Sequence, residues 1–399
     1  MRNLVLAIDI GTSNIYVILM RFINNRFQII SSLCRPSLGL RKGEIIEPLE
    51  TVNALNRVLN EIESTSGLQL ARVPSLVAVS GIRLESHLSK GMVVVSRPDG
   101  QITAEDLHRV LEISQTNLGP NRVLVNTVPL SYFVDGNLVT DPLGLRGAKL
   151  EVQSLVFDVL SSFLTNLEKV LEGAELSINQ LIAGPLATSW AVLTKEDREE
   201  GVLSLDLGAQ TTTLAVFEED KCLYSRVLPV GAHYISQDIA IWLKCHTDLA
   251  EKIKIGDGVA WSKKVSKKET INLEKYAAIE TNTISRYELA EVIEARLEQI
   301  FGLVLEELKQ INKARLPRGV VLSGGGAKMP EIVNLAKEVL RLPTRIGTNN
   351  FEGLAEGENP AFMKVLGLVL YYLDHLDAKM IAGDSFSAKL KRFFREMMP

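Results

Sequence analysis

The chain has 399 residues, of which 46% are apolar and 23% are charged, and its formal net charge is −4 at pH 7. This composition excludes a disordered or fibrous protein, and a nearly neutral body offers no general attraction for nucleic acid. The length predicts about two to four folding units. Three scattered cysteines without a close pair fit a reducing cytoplasm.

The apolar runs predict neither a signal peptide nor a membrane span. The first run is interrupted by Asp9, as expected of a buried strand. The longest run, residues 365–373, is far shorter than the ~18 residues that a spanning helix needs.

The first segment predicts half of a mixed sheet that is covered by helices. We expect strands at residues 4–8, 15–20 and 27–34, a helix at 49–62 from its apolar spacing, and a buried strand at 76–79.

Residues 85–159 predict a small α+β unit between the two parts of this sheet. Thr103, followed three residues later by Asp106, is typical of a helix start, and that helix is expected to reach Gln115. Strands are predicted at 123–130 and 132–134, with a turn at 135–137 before residues 138–139, and a loop at 141–147 leads to residues 150–159. Then come a helix at 161–172, a strand at 180–183, a helix at 187–193 and a charged run at 195–201, which we interpret as a solvated connector.

The second half predicts the same plan again. A hairpin at 205–216 and a strand at 223–229 precede a polar, helical insertion at about 236–299. A helix at 287–311 returns the chain to the sheet. A buried strand at 319–323 and helices at 331–340 and 362–376 complete this half.

Two Asp-x-Gly turns, about two hundred residues apart, connect strands in the same way. Gly11 and Gly208 can take positive φ and let a backbone approach an anion. The hydroxyls that follow can donate to it, and Asp9 and Asp206 could hold a hydrated Mg²⁺. One such turn is usually only a turn. Two matching copies predict a duplicated fold that binds a polyphosphate from both sides.

A third glycine feature, Gly324-Gly325-Gly326, follows a β-rich run and precedes Pro330, which suits a first helical turn. Bare backbone there would let an adenine ring or ribose lie close, although glycine runs also serve plain turns. The pattern matches neither the Rossmann nor the Walker fingerprint.

These motifs together resemble the phosphate-1, phosphate-2 and adenosine motifs of the actin/hexokinase/Hsp70 superfamily. Within it the chain resembles, nearly end to end, the FtsA family of bacterial cell-division proteins. Residues 76–81 and 364–368 resemble the two connecting motifs. The more specific signs are Ala78-Val79-Ser80-Gly81, Asp141-Pro142-Leu143-Gly144-Leu145, Val192-Leu193-Thr194 and Arg345-Ile346-Gly347.

The resemblance implies an α/β, actin-like ATPase fold with two duplicated mixed-sheet domains, each carrying an inserted subdomain. The implied division is residues 1–84 and 160–200 for the first domain, 85–159 for its relocated small subdomain, 201–235 and 300–359 for the second domain, 236–299 for its insertion, 360–376 for a helix returning to the first domain, 377–385 for a linker and 386–399 for a membrane helix.

The resemblance also implies ATP and Mg²⁺ as cofactors and a set of site residues. The phosphate-binding residues would be Gly11, Thr12, Ser13, Asn14, Gly208, Ala209, Gln210, Thr211 and Thr212. The adenosine-binding residues would be Gly324, Gly325, Gly326, Lys328 and Glu294. Asp9 and Asp206 would hold Mg²⁺ through water.

The second turn departs from the family pattern. Ala209 and Gln210 stand where small glycines are common, and Thr213 replaces an acidic residue. Hydrolysing relatives also carry a Gln or carboxylate before the second hairpin to orient water, and residues 184–189 have neither. We expect slow or negligible ATP turnover.

The last residues predict an amphipathic helix with a basic rim. Phe386, Leu390, Phe393, Phe394 and Met397 share one face, and Lys389, Lys391, Arg392 and Arg395 flank it. Such a helix suits an anionic bilayer surface, although a terminal helix packed on the body has the same pattern. The resemblance favours the membrane.

The resemblance therefore implies an ATP-binding cell-division protein that polymerises on the cytoplasmic side of the inner membrane at the septum. It would bind the C-terminal peptide of FtsZ through residues 236–299 and help to recruit later division proteins. One alternative is an actin-like pilus-assembly adaptor of the PilM type, which lacks the terminal helix. Another is a small-molecule kinase of the same superfamily, for which the sequence offers no catalytic base.

Overall fold

A computed structural model describes residues 4–23, 26–71, 73–276, 283–313, 315–349, 351 and 359–381. The strands are β1 (Leu4–Ile10), β2 (Asn14–Ile23), β3 (Arg26–Pro36), β4 (Leu40–Arg41), β5 (Glu44–Ile45), β6 (Pro74–Val79), β7 (Glu85–Val94), β8 (Arg122–Val134), β9 (Asn137–Val139), β10 (Lys149–Leu160), β11 (Ser177–Ala183), β12 (Val202–Leu207), β13 (Thr212–Glu218), β14 (Lys221–Leu228), β15 (Thr270–Asn272), β16 (Thr283–Ser285), β17 (Val320–Ser323) and β18 (Thr344–Ile346). The helices are α1 (Pro48–Ser66), α2 (Ala104–Gln115), α3 (Ser161–Gly173), α4 (Gly184–Val192), α5 (Lys195–Glu200), α6 (His233–Leu243), α7 (Thr247–Asp257), α8 (Arg286–Gln310), α9 (Ile332–Leu340) and α10 (Asn359–Ile381).

Two mixed sheets have the same plan. The first has the order β11-β6-β1-β2-β3 and the second the order β18-β17-β12-β13-β14. In each, three parallel strands are followed by an antiparallel pair. Helices α1, α3, α4 and α10 bury the first sheet, and α6, α8 and α9 pack on the second. The predicted duplication of a mixed sheet is confirmed.

A third sheet, entirely antiparallel, lies between β6 and α3 in the chain. Its order is β7-β10-β8-β9, and α2 packs on it. The Thr103 hydroxyl accepts from the backbone of Asp106, and the Asp106 carboxylate accepts from the backbone of Thr103, so the predicted capping pair forms. The predicted break near residue 131 is wrong, because β8 continues through Pro129. That proline lies beside a register shift and has a strand partner on one side only, a position that tolerates proline.

The charged run at residues 195–201 forms the short helix α5 where a turn was expected, and its interpretation as a solvated connector fits its exposed residues but not Asp197. Thr194 caps α5 by accepting from the backbone of Asp197. The carboxylate of Asp197 is buried and forms ion pairs with Arg318 and Arg345. The buried carboxylate of Asp197 therefore connects α5 to the second sheet.

Helices α4 and α10 cross at very short distance beneath the first sheet. A Cβ atom on Gly367 would lie 1.7 Å from the carbonyl oxygen of Ala187, so only glycine fits at this point. The side chains that surround Gly367 on α10 are fully or almost fully buried, among them Leu366 and Leu368. Within the part of the chain that the structure describes, no helix combines the length and apolar character needed to cross a bilayer.

We predict that Gly367→Ala lowers the free energy of unfolding by about 1–3 kcal/mol, because the new methyl group overlaps the backbone of α4. Urea denaturation followed by circular dichroism measures the change. Gly302→Ala is the matched control, since Gly302 also lies inside a helix and no atom lies within 4 Å of the position that its new methyl group would take. We expect the control to be neutral or more stable by up to about 1 kcal/mol. Equal effects of the two substitutions would contradict the close crossing.

Candidate functional site

A cavity of about 440 Å³ opens between the two mixed sheets, at the ends of β1 and β12. This volume lies within the range of ordinary ligand pockets, about 300–1,000 Å³. Most of the predicted site residues line it: Asp9, Gly11, Thr12, Ser13, Asn14, Asp206, Gly208, Ala209, Thr211, Gly324, Gly325, Gly326 and Lys328. Segments that are far apart in the sequence thus meet in one cleft.

The two Asp-x-Gly turns close with the same backbone hydrogen bond. The amide of Gly11 donates to the carbonyl of Asn14 at 3.0 Å, and the amide of Gly208 donates to that of Thr211 at 3.0 Å. A Cβ atom on either glycine would lie under 3.0 Å from the same carbonyl oxygen. Neither glycine uses the positive φ that was available to it. Glycine is needed here for close backbone approach alone.

Gly324 fits tightly against the second turn. Its φ is +84°, and a Cβ atom there would lie 2.2 Å from Oδ1 of Asp206. Its amide donates to the carbonyl of Pro360 at 2.8 Å, at the start of α10. Gly325, by contrast, has no atom within 4 Å of its Cβ position. The glycine run therefore exposes backbone to the cavity, and Gly324 leaves room for the carboxylate of Asp206.

Lys364 of α10 joins the two acidic residues. Its Nζ atom lies 3.3 Å from Oδ2 of Asp9 and 3.2 Å from Oδ2 of Asp206. Burial acts to lower the pKa of Lys364, but the two carboxylates outweigh burial and hold the pKa above its ordinary value. The group is therefore an ammonium ion at neutral pH.

Sequence reasoning did not assign a role to Lys364. The available signal was a single cation in the otherwise apolar stretch from Phe362 to Leu373. A charge on a buried helix needs a partner of opposite charge. Lys254 and Glu251 of α7 also line the cavity and were not foreseen. They form an ion pair of 2.7 Å, and burial lowers the pKa of Lys254.

Several buried oxygens of the cavity wall have no hydrogen-bond partner in the described part of the protein. They are Oδ1 of Asp9, Oγ of Ser80 and Oγ1 of Thr188. Leaving such atoms unpaired costs about 1–3 kcal/mol each, so the cavity suits a ligand with several polar groups. No cluster of three or more His, Cys, Asp or Glu side chains able to hold a metal occurs among the residues described.

Three of the predicted site residues do not line the cavity. Oε1 of Gln210 accepts from the amide of Lys42 at 2.8 Å, which links the second turn to the β4–β5 hairpin of the first half. The hydroxyl of Thr212 donates to the carbonyl of Val230 at 2.8 Å. The carboxylate of Glu294 accepts from the amide of Ser262 at 2.7 Å. All three side chains therefore form hydrogen bonds with the backbone of the protein itself.

The predicted tail residues 386–399 lie outside the described residues.

The fold and the cleft define an actin-like protein with a small inserted α+β unit. Residues 203–367 match the family model described as "Cell division protein FtsA", and residues 81–157 match "SHS2 domain inserted in FTSA". The cell division protein FtsA of Bacillus subtilis is 33% identical over 371 residues, covering 92% of this chain and 83% of that protein. FtsA of Borreliella burgdorferi is 33% identical over 409 residues, covering 98% of each chain. The chain belongs to the FtsA family of cell-division proteins.

Solved structures of low sequence identity share the fold. The PilM-PilN type IV pilus biogenesis complex matches with a TM-score of 0.65 and 19% identity, covering 92% of this chain and 98% of that one. MreB 5 of Spiroplasma citri bound to AMPPNP matches with a TM-score of 0.58 and 14% identity, covering 96% and 99%. The expected actin-like ATPase fold is confirmed.

We predict that Gln210→Ala speeds hydrogen exchange at the amide of Lys42 by about fivefold, because a hydrogen bond worth about 1 kcal/mol is lost. Mass spectrometry with single-amide resolution measures it. The amide of Gly43 donates to the Thr12 hydroxyl at 2.9 Å and is the internal control. Unchanged exchange at Lys42, or equal acceleration at both amides, would contradict a specific link.

Proposed function

We propose that the chain binds ATP in the cleft between its two halves and works in cell division. The observation that carries the proposal is the pair of identically closed glycine turns on either side of one cavity, with the Gly324–Gly326 backbone on its third wall. Unpartnered oxygens of Asp9, Ser80 and Thr188 in the same wall favour a polar ligand. The MreB 5 structures with AMPPNP and with ADP support a nucleotide in a related fold.

The phosphates would lie against the two turns, where Thr12, Ser13, Asn14 and Thr211 offer hydroxyl, amide or backbone donors. The adenosine would lie against the glycine run beside Lys328. Asp9 and Asp206, which were expected to contact Mg²⁺ through water, are both paired with Lys364, so their carboxylates do not offer a free metal site.

We propose that ATP turnover is slow. Helix α4 contributes Thr188 to the cavity, and α4 contains neither Gln nor a carboxylate that could orient an attacking water. The second turn carries Ala209 and Gln210, and the Gln210 side chain is engaged with Lys42. These features are more typical of a scaffold whose assembly depends on bound nucleotide than of an efficient ATPase.

As a member of the FtsA family, the chain is proposed to polymerise on the inner face of the cytoplasmic membrane at the septum and to attach FtsZ filaments to it. The membrane contact would be the basic amphipathic segment at residues 386–399. The FtsZ C-terminal peptide would bind to the second insertion, residues 236–299. Later division proteins would be recruited to the same assembly. The PilM-like alternative has similarity of fold in its favour, whereas family membership favours cell division.

We predict that Gly324→Ala weakens binding of a fluorescent ATP analogue at least about tenfold, since the methyl group displaces Asp206 and alanine disfavours a φ of +84°. Fluorescence titration measures the dissociation constant. Gly302→Ala, in α8, is the control, because Gly302 does not line the cavity and has free space at its Cβ position; it should bind within about twofold of the parent protein. Similar affinities for both variants would argue against nucleotide at this wall of the cavity.

We predict that Phe393→Ser with Phe394→Ser keeps most of the protein in the supernatant when it is sedimented with liposomes containing anionic lipid. The double substitution removes two aromatic side chains from the apolar face and leaves every basic residue in place. Glu396→Gln is the control, because it preserves both the face and the basic rim. Sedimentation of the double variant at the parent level would contradict the membrane role of this segment.

A further inference from the structure

Lys364 occupies the position where the resemblance placed a metal ion. Its ammonium group lies between Asp9 and Asp206 at 3.3 and 3.2 Å, whereas a hydrated Mg²⁺ was expected to be held there. The ammonium is a compact point charge with three N–H donors. Two donors can serve the carboxylates, which leaves one that can reach a phosphate oxygen in the cavity.

The backbone that carries Lys364 is fixed on three sides. The carbonyl of Pro360 accepts from the amide of Gly324, and the rings of Phe362 and Tyr16 pack edge to face with their centroids 5.2 Å apart. One turn further along, Gly367 lies against the carbonyl of Ala187. The aliphatic part of the Lys364 side chain passes close to Gly184: a Cβ atom on Gly184 would lie 3.4 Å from Cδ of Lys364. The backbone at Lys364 is therefore held by the contacts of α10 with Gly324, Tyr16 and α4.

Lys364 changes the net charge that a polyphosphate would meet in the cleft. Two carboxylates facing a polyphosphate repel it, and a divalent cation is the ordinary way to overcome the repulsion. Here one carboxylate charge is already neutralised by a residue of the chain itself. Lys328 adds a further cationic side chain to the cavity wall, where Lys254 is already paired with Glu251. The donor set thus fits a nucleotide without requiring a metal between it and the aspartates.

We propose that Lys364 is the resident cation of the nucleotide site, which takes over the role of Mg²⁺ between Asp9 and Asp206 and lets the chain bind metal-free ATP. This inference rests on the proposed nucleotide site. It concerns binding alone and involves no bond-breaking step. The competing role for Lys364 is a purely structural ion pair that holds α10 to the two turns.

The test compares the affinity of the full chain for a methylanthraniloyl-labelled ATP analogue in excess Mg²⁺ and in EDTA. For the parent protein we expect the two dissociation constants to agree within about threefold, well below the tenfold change that 1.4 kcal/mol produces. For Lys364→Met, which keeps the length of the side chain but removes its charge, we expect binding in EDTA to fall at least about thirtyfold and Mg²⁺ to restore most of it. Lys195→Met removes an exposed lysine of α5 and should behave as the parent.

The outcomes separate the two proposals. Absence of binding to the parent protein in both buffers defeats the nucleotide site itself and this inference with it. Binding to the parent protein only in Mg²⁺ leaves the nucleotide site standing and overturns the role of Lys364. Equal binding of Lys364→Met in EDTA and in Mg²⁺ overturns it as well, and assigns the ion pair to structure alone.

Removal of Lys364 leaves two carboxylates facing each other, so the variant could fail to fold. The double variant Asp206→Asn with Lys364→Met restores the net charge of the cluster, and its melting temperature should exceed that of Lys364→Met alone. The comparison of buffers in the parent protein needs no variant, so the proposal remains open to refutation in either case.

Discussion

The ion pairs of Lys364 with Asp9 and Asp206 connect the three parts of the molecule on which the cleft depends. Asp9 belongs to the first sheet, Asp206 to the second, and Lys364 to the helix that crosses beneath them. Both carboxylates are largely withdrawn from water, and such charges are tolerated only where they are paired. Removing one partner from a buried pair costs about 3–5 kcal/mol in proteins generally. The separation of the two sheets at the cleft is therefore coupled to the position of α10.

The backbone around Asp9, Asp206 and Lys364 has little room for additional atoms. The glycines at 324 and 367 each mark a point where a methyl group would overlap a neighbouring segment, Asp206 in one case and Ala187 in the other. Between them, the amide of Gly324 holds the first turn of α10 through Pro360. The cleft is thus held both by close backbone contacts, as at Gly324 with Pro360 and at Gly367 with Ala187, and by the charges of Asp9, Asp206 and Lys364.

The sequence was most informative where structure is local. The paired turns, the glycine run, the capping pair of Thr103 and Asp106 and the periodic helices follow from neighbouring residues, and the structure contains all of them. Burial was harder to foresee. Asp197 sits in a run of charges that is typical of exposed segments, but Arg318 and Arg345, more than a hundred residues away, provide it with partners. The same distance explains why Lys364 was missed, because its partners are set by the meeting of two domains. Gln210 and Thr212 were assigned to the cavity from their place in the motif, whereas their side chains are taken by Lys42 and Val230.

The common closure of the two turns has a consequence for how such a protein can change over time. Each turn keeps its shape through an amide and a carbonyl of the main chain, which no substitution of the intervening side chains removes. Ile10, Thr12 and Ser13 in one turn correspond to Leu207, Ala209 and Gln210 in the other. Side chains in these positions can drift, or acquire a new task such as the contact of Gln210 with Lys42, while the shape of the turn is inherited unchanged.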